Sequence, residues 1–260
     1  MNSVLRLAML CLLAVLAEAK ADIAEDQPLL AVRGSLLFED DFSRPDLTPK
    51  WNVGLGRWEI KDGVATAAEK PEDHHGAYAF INPNTTYKDV IAEFDFKMNG
   101  ASDLVLNMRK QGFKGSQAGH ILRVSIMLNK VQLADMKEGG MKWEYYNIKK
   151  DPNATAEAKA AVDAKLKDKQ ATFTTTYEYG AWHHARAEVA GDELLFMVDG
   201  KAVGYLKSPG IDHPTKNMLG FTIAGKNMKT ASIKNPKFWH ATPNPEWAKR
   251  RDEVLAGLTK

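Results

Sequence analysis

The 260-residue chain sets 35 Lys and Arg against 33 Asp and Glu, a formal net charge of +2, with 44% of residues apolar. Interleaved, nearly balanced charge excludes a phosphate-binding stripe of the kind that nucleic-acid partners require. Glycine and proline are not inflated, which excludes a disordered chain, and the length suits one large domain of the β-sandwich type.

At the N-terminus, Arg6 supplies a positive flank, Val4 to Ala17 is almost unbroken apolar sequence, and Ala19-Lys20-Ala21 is a small-x-small cleavage pattern. Residues 1–21 are predicted to be a secretory signal peptide. The apolar run falls short of the roughly 20 residues that span a bilayer, so a retained anchor is the weaker alternative, as is lipidation at Cys11. Removing 1–21 takes away Arg6, Glu18 and Lys20 and leaves a charge of +1. It also removes the sole cysteine, so the exported chain would hold no disulfide and no thiolate. The chain is expected to be secreted or periplasmic, free of the membrane after cleavage.

Residues 22–35 read as a polar linker. Leu36 to Phe42 opens the first strand, and Ser43-Arg44-Pro45-Asp46 breaks it with turn chemistry. Trp58–Lys61 and Val64–Ala67 alternate around Asp62-Gly63, a tight hairpin signal, with Trp51 and Trp58 expected to pack beneath. Strand patterns follow at 78–81, 90–98, 104–109, 120–128 and 131–134, separated by Asn-Pro, Asn-Gly, Gly-Ser and Asn-Lys turns. Ala154 to Lys169 breaks the rhythm as a surface helix, with Val162 and Leu166 on one face and Asn153 or Thr155 as the cap. Trp182 to Leu206 resumes the strands, turning at Gly191-Asp192 and Asp199-Gly200. Asn244 as cap, Pro245, and a Trp247/Val254/Leu258 face predict a last helix over 243–260. The fold class is therefore all-β: a two-sheet antiparallel β-sandwich, or jelly roll, over 36–242, with a short inserted helix and a C-terminal helix.

Strand parity yields a candidate site. If Leu104, Leu106 and Met108 point inward, Asn107 and Arg109 share the opposite face; the same parity selects Arg123 and Ser125, with Gln132 on the next strand. Arginine forks and amides suit sugar hydroxyls, carboxylates or sulfates, and Trp143, Tyr145 and Tyr146 offer rings for a sugar to stack on. The competing reading pairs the two arginines with Asp95 or Asp135 and packs the aromatics under the inserted helix. His120 stands beside this constellation. His74-His75 and His183-His184 are adjacent residues pointing to opposite strand faces, so neither pair is expected to share a zinc ion.

Three stretches, EDDFSRPDLTPKWNVGLGRWEIKDGVATA (39–67), VIAEFDFKM (90–98) and WHHARAEVAGDELLFMVDGKAVG (182–204), resemble the concanavalin A-like lectin/glucanase superfamily. Within it they are most similar to secreted bacterial domains called 3-keto-disaccharide hydrolase-like, or family 16 glycoside hydrolase-like. The resemblance covers about Leu36 to His240 and implies a curved sandwich with one concave sheet facing glycans. It also implies a Glu-x-Asp-x-Glu catalytic strand, of which Glu93 and Asp95 match the first two acids while Lys97 or Met98 stands in place of the third. That strand alone cannot supply the two carboxyl groups, roughly 5 Å apart, of a retaining hydrolase. The fold type often carries a structural calcium, for which Glu39 and Asp41 are the candidate ligands, a solvated strand end being the alternative; no other cofactor is expected. Three functions remain open. The first is a lectin-like domain that binds saccharide on its concave sheet without turnover. The second is a glycoside or 3-keto-glycoside hydrolase or lyase using Asp95, His120 and Arg109 as acid/base and oxyanion groups. The third is a structural envelope module.

Overall fold

A computed structural model describes residues 29–258. The predicted signal peptide, 1–21, lies outside them. The described residues form two antiparallel sheets packed face to face. In the first, the strand order is β13 (Lys201–Lys207), β12 (Glu193–Val198), β11 (His183–Ala190), β6 (Val90–Asn99), β15 (Thr230–Pro243), β4 (Val64–Ala68) and β3 (Arg57–Lys61). β1 (Ala31–Glu39) joins β15 where β4 has ended. The second sheet runs β10 (Gln170–Thr174), β9 (Lys130–Asp135), β8 (His120–Met127), β7 (Asp103–Arg109), β14 (Met218–Ala224), β5 (Ala77–Ile81) and β2 (Trp51–Val53). Three α-helices complete the described residues: α1 (Trp143–Lys150), α2 (Ala156–Leu166) and α3 (Trp247–Ala256). None of them is long and apolar enough to cross a membrane.

Alternation decides which side chains fill the sandwich. Phe94 and Phe96 of β6, Leu104, Leu106 and Met108 of β7, and Leu122, Val124 and Ile126 of β8 all enter one core with no more than 1% of their surface exposed. Aromatic edges bridge the sheets: Phe94 meets Phe221 of β14 at 4.8 Å with the rings 71° apart. Asp62-Gly63 and Asp199-Gly200 each place two successive residues at positive φ, the backbone that a two-residue hairpin between right-twisted strands requires.

A second, smaller core lies on the outer face of the first sheet. Leu29, Leu30 and Ala31 from the N-terminal segment and Trp247 of α3 cover Ile91, Leu195 and Met197 there. Glu188, fully buried, holds that segment in place: one carboxylate oxygen accepts from the backbone N–H groups of Leu29, Leu30 and Ala31 at 2.7–3.3 Å. Within the described residues the chain is therefore docked from Leu29 and paired as β1 from Ala31, so residues 29–35 of the expected linker belong to the sandwich.

The local signals sit close to where the sequence pattern puts them. α2 is capped by Thr155, whose Oγ1 accepts from the Ala158 N–H at 3.1 Å. Asn244 Oδ1 accepts from the Glu246 N–H at 3.0 Å, in the turn that leads into α3. Trp51 is buried and donates its indole N–H to Asp40 at 2.7 Å. Strands β2, β10, β14 and β15 and helix α1 lie outside the elements that the sequence pattern predicts.

Candidate functional site

On the outer face of the second sheet a groove of about 310 Å³ opens beneath α1. β7 contributes Val105, Asn107 and Arg109, the residues that parity turns away from the core. Asn107 stands directly across from Arg123 on one side and from Gly220 of β14 on the other. Arg109 lies beyond a register shift from Arg123, and both line the groove. Thr222 enters from β14, and its hydroxyl accepts from Asn107 Nδ2 at 3.0 Å.

A bulge places His120 in this groove. Simple alternation would aim it inward with Leu122 and Val124, but the register slips between Met108 and Arg109, so that His120 opposes Arg109 and Ile121 enters the core instead. Bulges re-aim side chains in this way. Burial first, then the charges of Arg109, Arg123 and His75, push the imidazole down to about 3, so it is neutral near pH 7. His120 is 7% exposed, and its Nδ1 is buried without a hydrogen-bond partner.

The two arginines are poorly matched within the protein. Arg109 lies over the Phe80 ring at 4.8 Å, and burial lowers its guanidinium to about 10, leaving it charged at neutral pH. Burial lowers Arg123 as well, and among the described residues its hydrogen bond is a long 3.4 Å contact to Gln132 Oε1. Nε of each is buried without a partner. Asp103, at the start of β7, is the carboxylate whose charge Arg123 feels; burial pushes it up to about 6 against the pull of Arg123 and Lys130.

The expected constellation is thus brought together in part. Asn107, Arg109, Arg123 and His120 line one groove, and Gln132 touches it through Arg123. Ser125 is fully buried and does not line it. The aromatic wall is Tyr146 rather than Trp143 or Tyr145, because residues 143–150 are helical: Tyr146 and Lys150, four apart, share the face over the sheet. Trp143 remains 42% exposed, with its ring edge against Tyr146. Tyr145 sits between Lys142 and Lys165. Thr222, Met141, Gln117 and His75 complete the lining unforeseen, the first because β14 was not recognised as a strand.

Asp95 is not part of this site. Phe94 and Phe96 face the core from β6, so Asp95 projects from the outer face of the first sheet, on the far side of the sandwich from Arg109 and His120. There it meets His184 Nδ1 and Asn235 Nδ2, both at 2.8 Å. Burial raises its carboxyl, but these contacts outweigh that and hold it below the usual carboxylate range. The trio Asp95, His120 and Arg109 therefore cannot act on one substrate atom. Nor do the arginines pair with Asp135, which binds Ser208 and the Glu138 N–H. Glu39 and Asp41 share a surface groove with Lys50 and Lys237, while Asp40 between them turns inward to Arg44 and Trp51. Among the described residues no group of three or more His, Cys, Asp or Glu side chains is arranged to hold a metal ion.

No protein-family model matches the chain, and no curated protein matches it in sequence. Solved structures do match in shape. A Bacillus subtilis protein of unknown function with a galectin-like fold superposes with a TM-score of 0.55 at 11% identity, over 82% of this chain and 99% of its own. The chain has a galectin-like, jelly-roll β-sandwich fold. A Flavobacterium laminarinase shares this architecture with a TM-score of 0.52 at 12% identity, over 79% of this chain and 100% of its own. So does the catalytic domain of an endo-1,3-β-glucanase from Thermotoga petrophila, at 0.50 and 14%, over 80% and 99%.

Proposed function

We propose that this chain is an exported, lectin-like domain that binds saccharide in the groove beneath α1 and does not turn it over. The observation that carries the reading is the composition of the groove: amide, hydroxyl, guanidinium and one aromatic wall, with no carboxylate among the eleven lining residues. Such groups match sugar hydroxyls and ring faces, whereas glycoside hydrolysis in its common form needs two opposed carboxyl groups. The fold's occurrence in glucan-degrading enzymes supports saccharide as the ligand class. Export rests on the signal pattern of residues 1–21. Electrophoresis through gels containing soluble polysaccharides, paired with a reducing-end assay, tests both halves: retardation without product release is expected. Released sugar would overturn the absence of turnover, and mobility unchanged in every gel would overturn binding.

A further inference from the structure

The way this protein treats its other part-buried arginines makes Arg109 and Arg123 conspicuous. Arg44 binds Asp40 through both ends of its fork, Arg186 lies 2.9 Å from Glu188, and Arg33 pairs with Glu93. Among the described residues neither Arg109 nor Arg123 makes a salt bridge; Arg123 feels the charge of Asp103 without bonding to it, and Arg109 has no carboxylate influence at all. A desolvated charge without a partner is strongly unfavourable in a fold that gains nothing by it. Arg109 is in that position and Arg123 is offset only by the distant Asp103 charge, and both line one groove together with Lys150 and a neutral imidazole.

We propose that the groove is selective for anionic saccharides, a carboxylate or sulfate substituent seating between the Arg109 and Arg123 guanidiniums; the proposal rests on the saccharide-binding reading above. Planar guanidinium forks give paired, charge-assisted hydrogen bonds to such oxyanions, which a neutral sugar cannot return. Tyr146 would hold the ring carrying the acid, and the Asn107–Thr222 pair its hydroxyls. In the free protein the two arginines are thus a cost to stability that the ligand relieves.

Titration calorimetry distinguishes the sources of the anion and the failure modes. The probes are carboxylated chains (polygalacturonate, alginate, hyaluronan), sulfated chains (carrageenan, dextran sulfate) and neutral ones (dextran, laminarin), tested against the wild-type chain and the Arg109→Met/Arg123→Met double variant. Binding to at least one acidic class, ten or more times tighter than to any neutral chain, is expected, and the arm that binds identifies carboxylate or sulfate. The double variant should lose roughly 10-fold or more of that affinity per arginine. At pH 5, where Asp103 is protonated, it should also melt at or above the wild-type temperature, since buried charges have been replaced by apolar side chains. Neutral chains bound as tightly as acidic ones, or a double variant that keeps its affinity for the acidic chain, would overturn anion selectivity and leave saccharide binding standing. A double variant that melts well below wild type would overturn it too, by making the arginines structural. Absence of binding to every chain would overturn both readings.

Discussion

His120 and Asp103 both feel the charge of Arg123 and respond to acid in opposite directions. The unfolded chain protonates a histidine near pH 6.5, but the folded one holds His120 neutral down to about 3. The unfolded state therefore takes up the proton first, and stability falls as the pH drops through that interval. His120→Gln should flatten this acid-side loss in urea melts between pH 7 and 4; an unchanged slope would mean that the imidazole is solvated. Asp103 has a raised folded value, about 6, so its contribution to stability is complete below the unfolded value near 3.9 and lost as the pH rises through about 6. Its charge also faces Arg123 and Lys130. Protonating it leaves Arg123 without a nearby negative charge, and affinity for an anionic saccharide should rise from pH 7 to 5. Calorimetry on Asp103→Asn, which should remove that rise, checks the assignment.

At the level of elements, the groove is one sheet face roofed by an excursion between two paired strands. Ala134 of β9 pairs with Gln170 of β10, so α1 and α2 leave and re-enter one hairpin. Replacing residues 141–168 with a short Gly/Ser turn should keep far-UV β-signal and cooperative melting but abolish saccharide binding, because Tyr146 and Lys150 go with the roof; retained affinity would place the ligand elsewhere. At the other hairpin, Gly200 at φ +73° sits where a β-branched residue is strained, and Gly200→Val should cost about 1–2 kcal/mol in chemical denaturation. The elements legible in the sequence were those with a local signal: Asp-Gly turns, alternation at 90–98 and 104–109, and the Thr155 cap. The missed ones lack it. β15 contains Pro236, which demotes a strand reading and is tolerated at a bulge where Asn235 takes φ +52°. β14 is interrupted by Gly220, whose added Cβ would fall 2.1 Å from the Ala79 carbonyl oxygen. α1 begins at Lys142 with no side-chain cap. The arginines of the site followed from parity alone; the place of His120 depended on a bulge, and that of Tyr146 on a helix, that no local pattern announced.

Across the whole molecule, both ends of the described chain close over the outer face of the first sheet, leaving the second sheet's outer face to carry the groove. Glu188 holds the incoming segment and is paired with Arg186, so Glu188→Ala should cost about 3–5 kcal/mol in urea unfolding, the scale for breaking a buried ion pair. Because the clamp engages Leu29 to Ala31, it survives processing after Ala21, and N-terminal sequencing of exported protein should begin at Asp22; a start beyond Ala31 would contradict the role given to Glu188. The saccharide groove itself is tested most directly by titrating the tightest-binding chain from the calorimetric panel, cut to an oligosaccharide, into isotope-labelled protein and following amide and side-chain resonances. Perturbations confined to Asn107, Arg109, His120, Arg123, Tyr146 and Thr222, with the oligosaccharide recovered intact, are the expected result. Shifts clustered instead around Asp95 and His184 on the opposite sheet, or cleavage of the oligosaccharide, would contradict it.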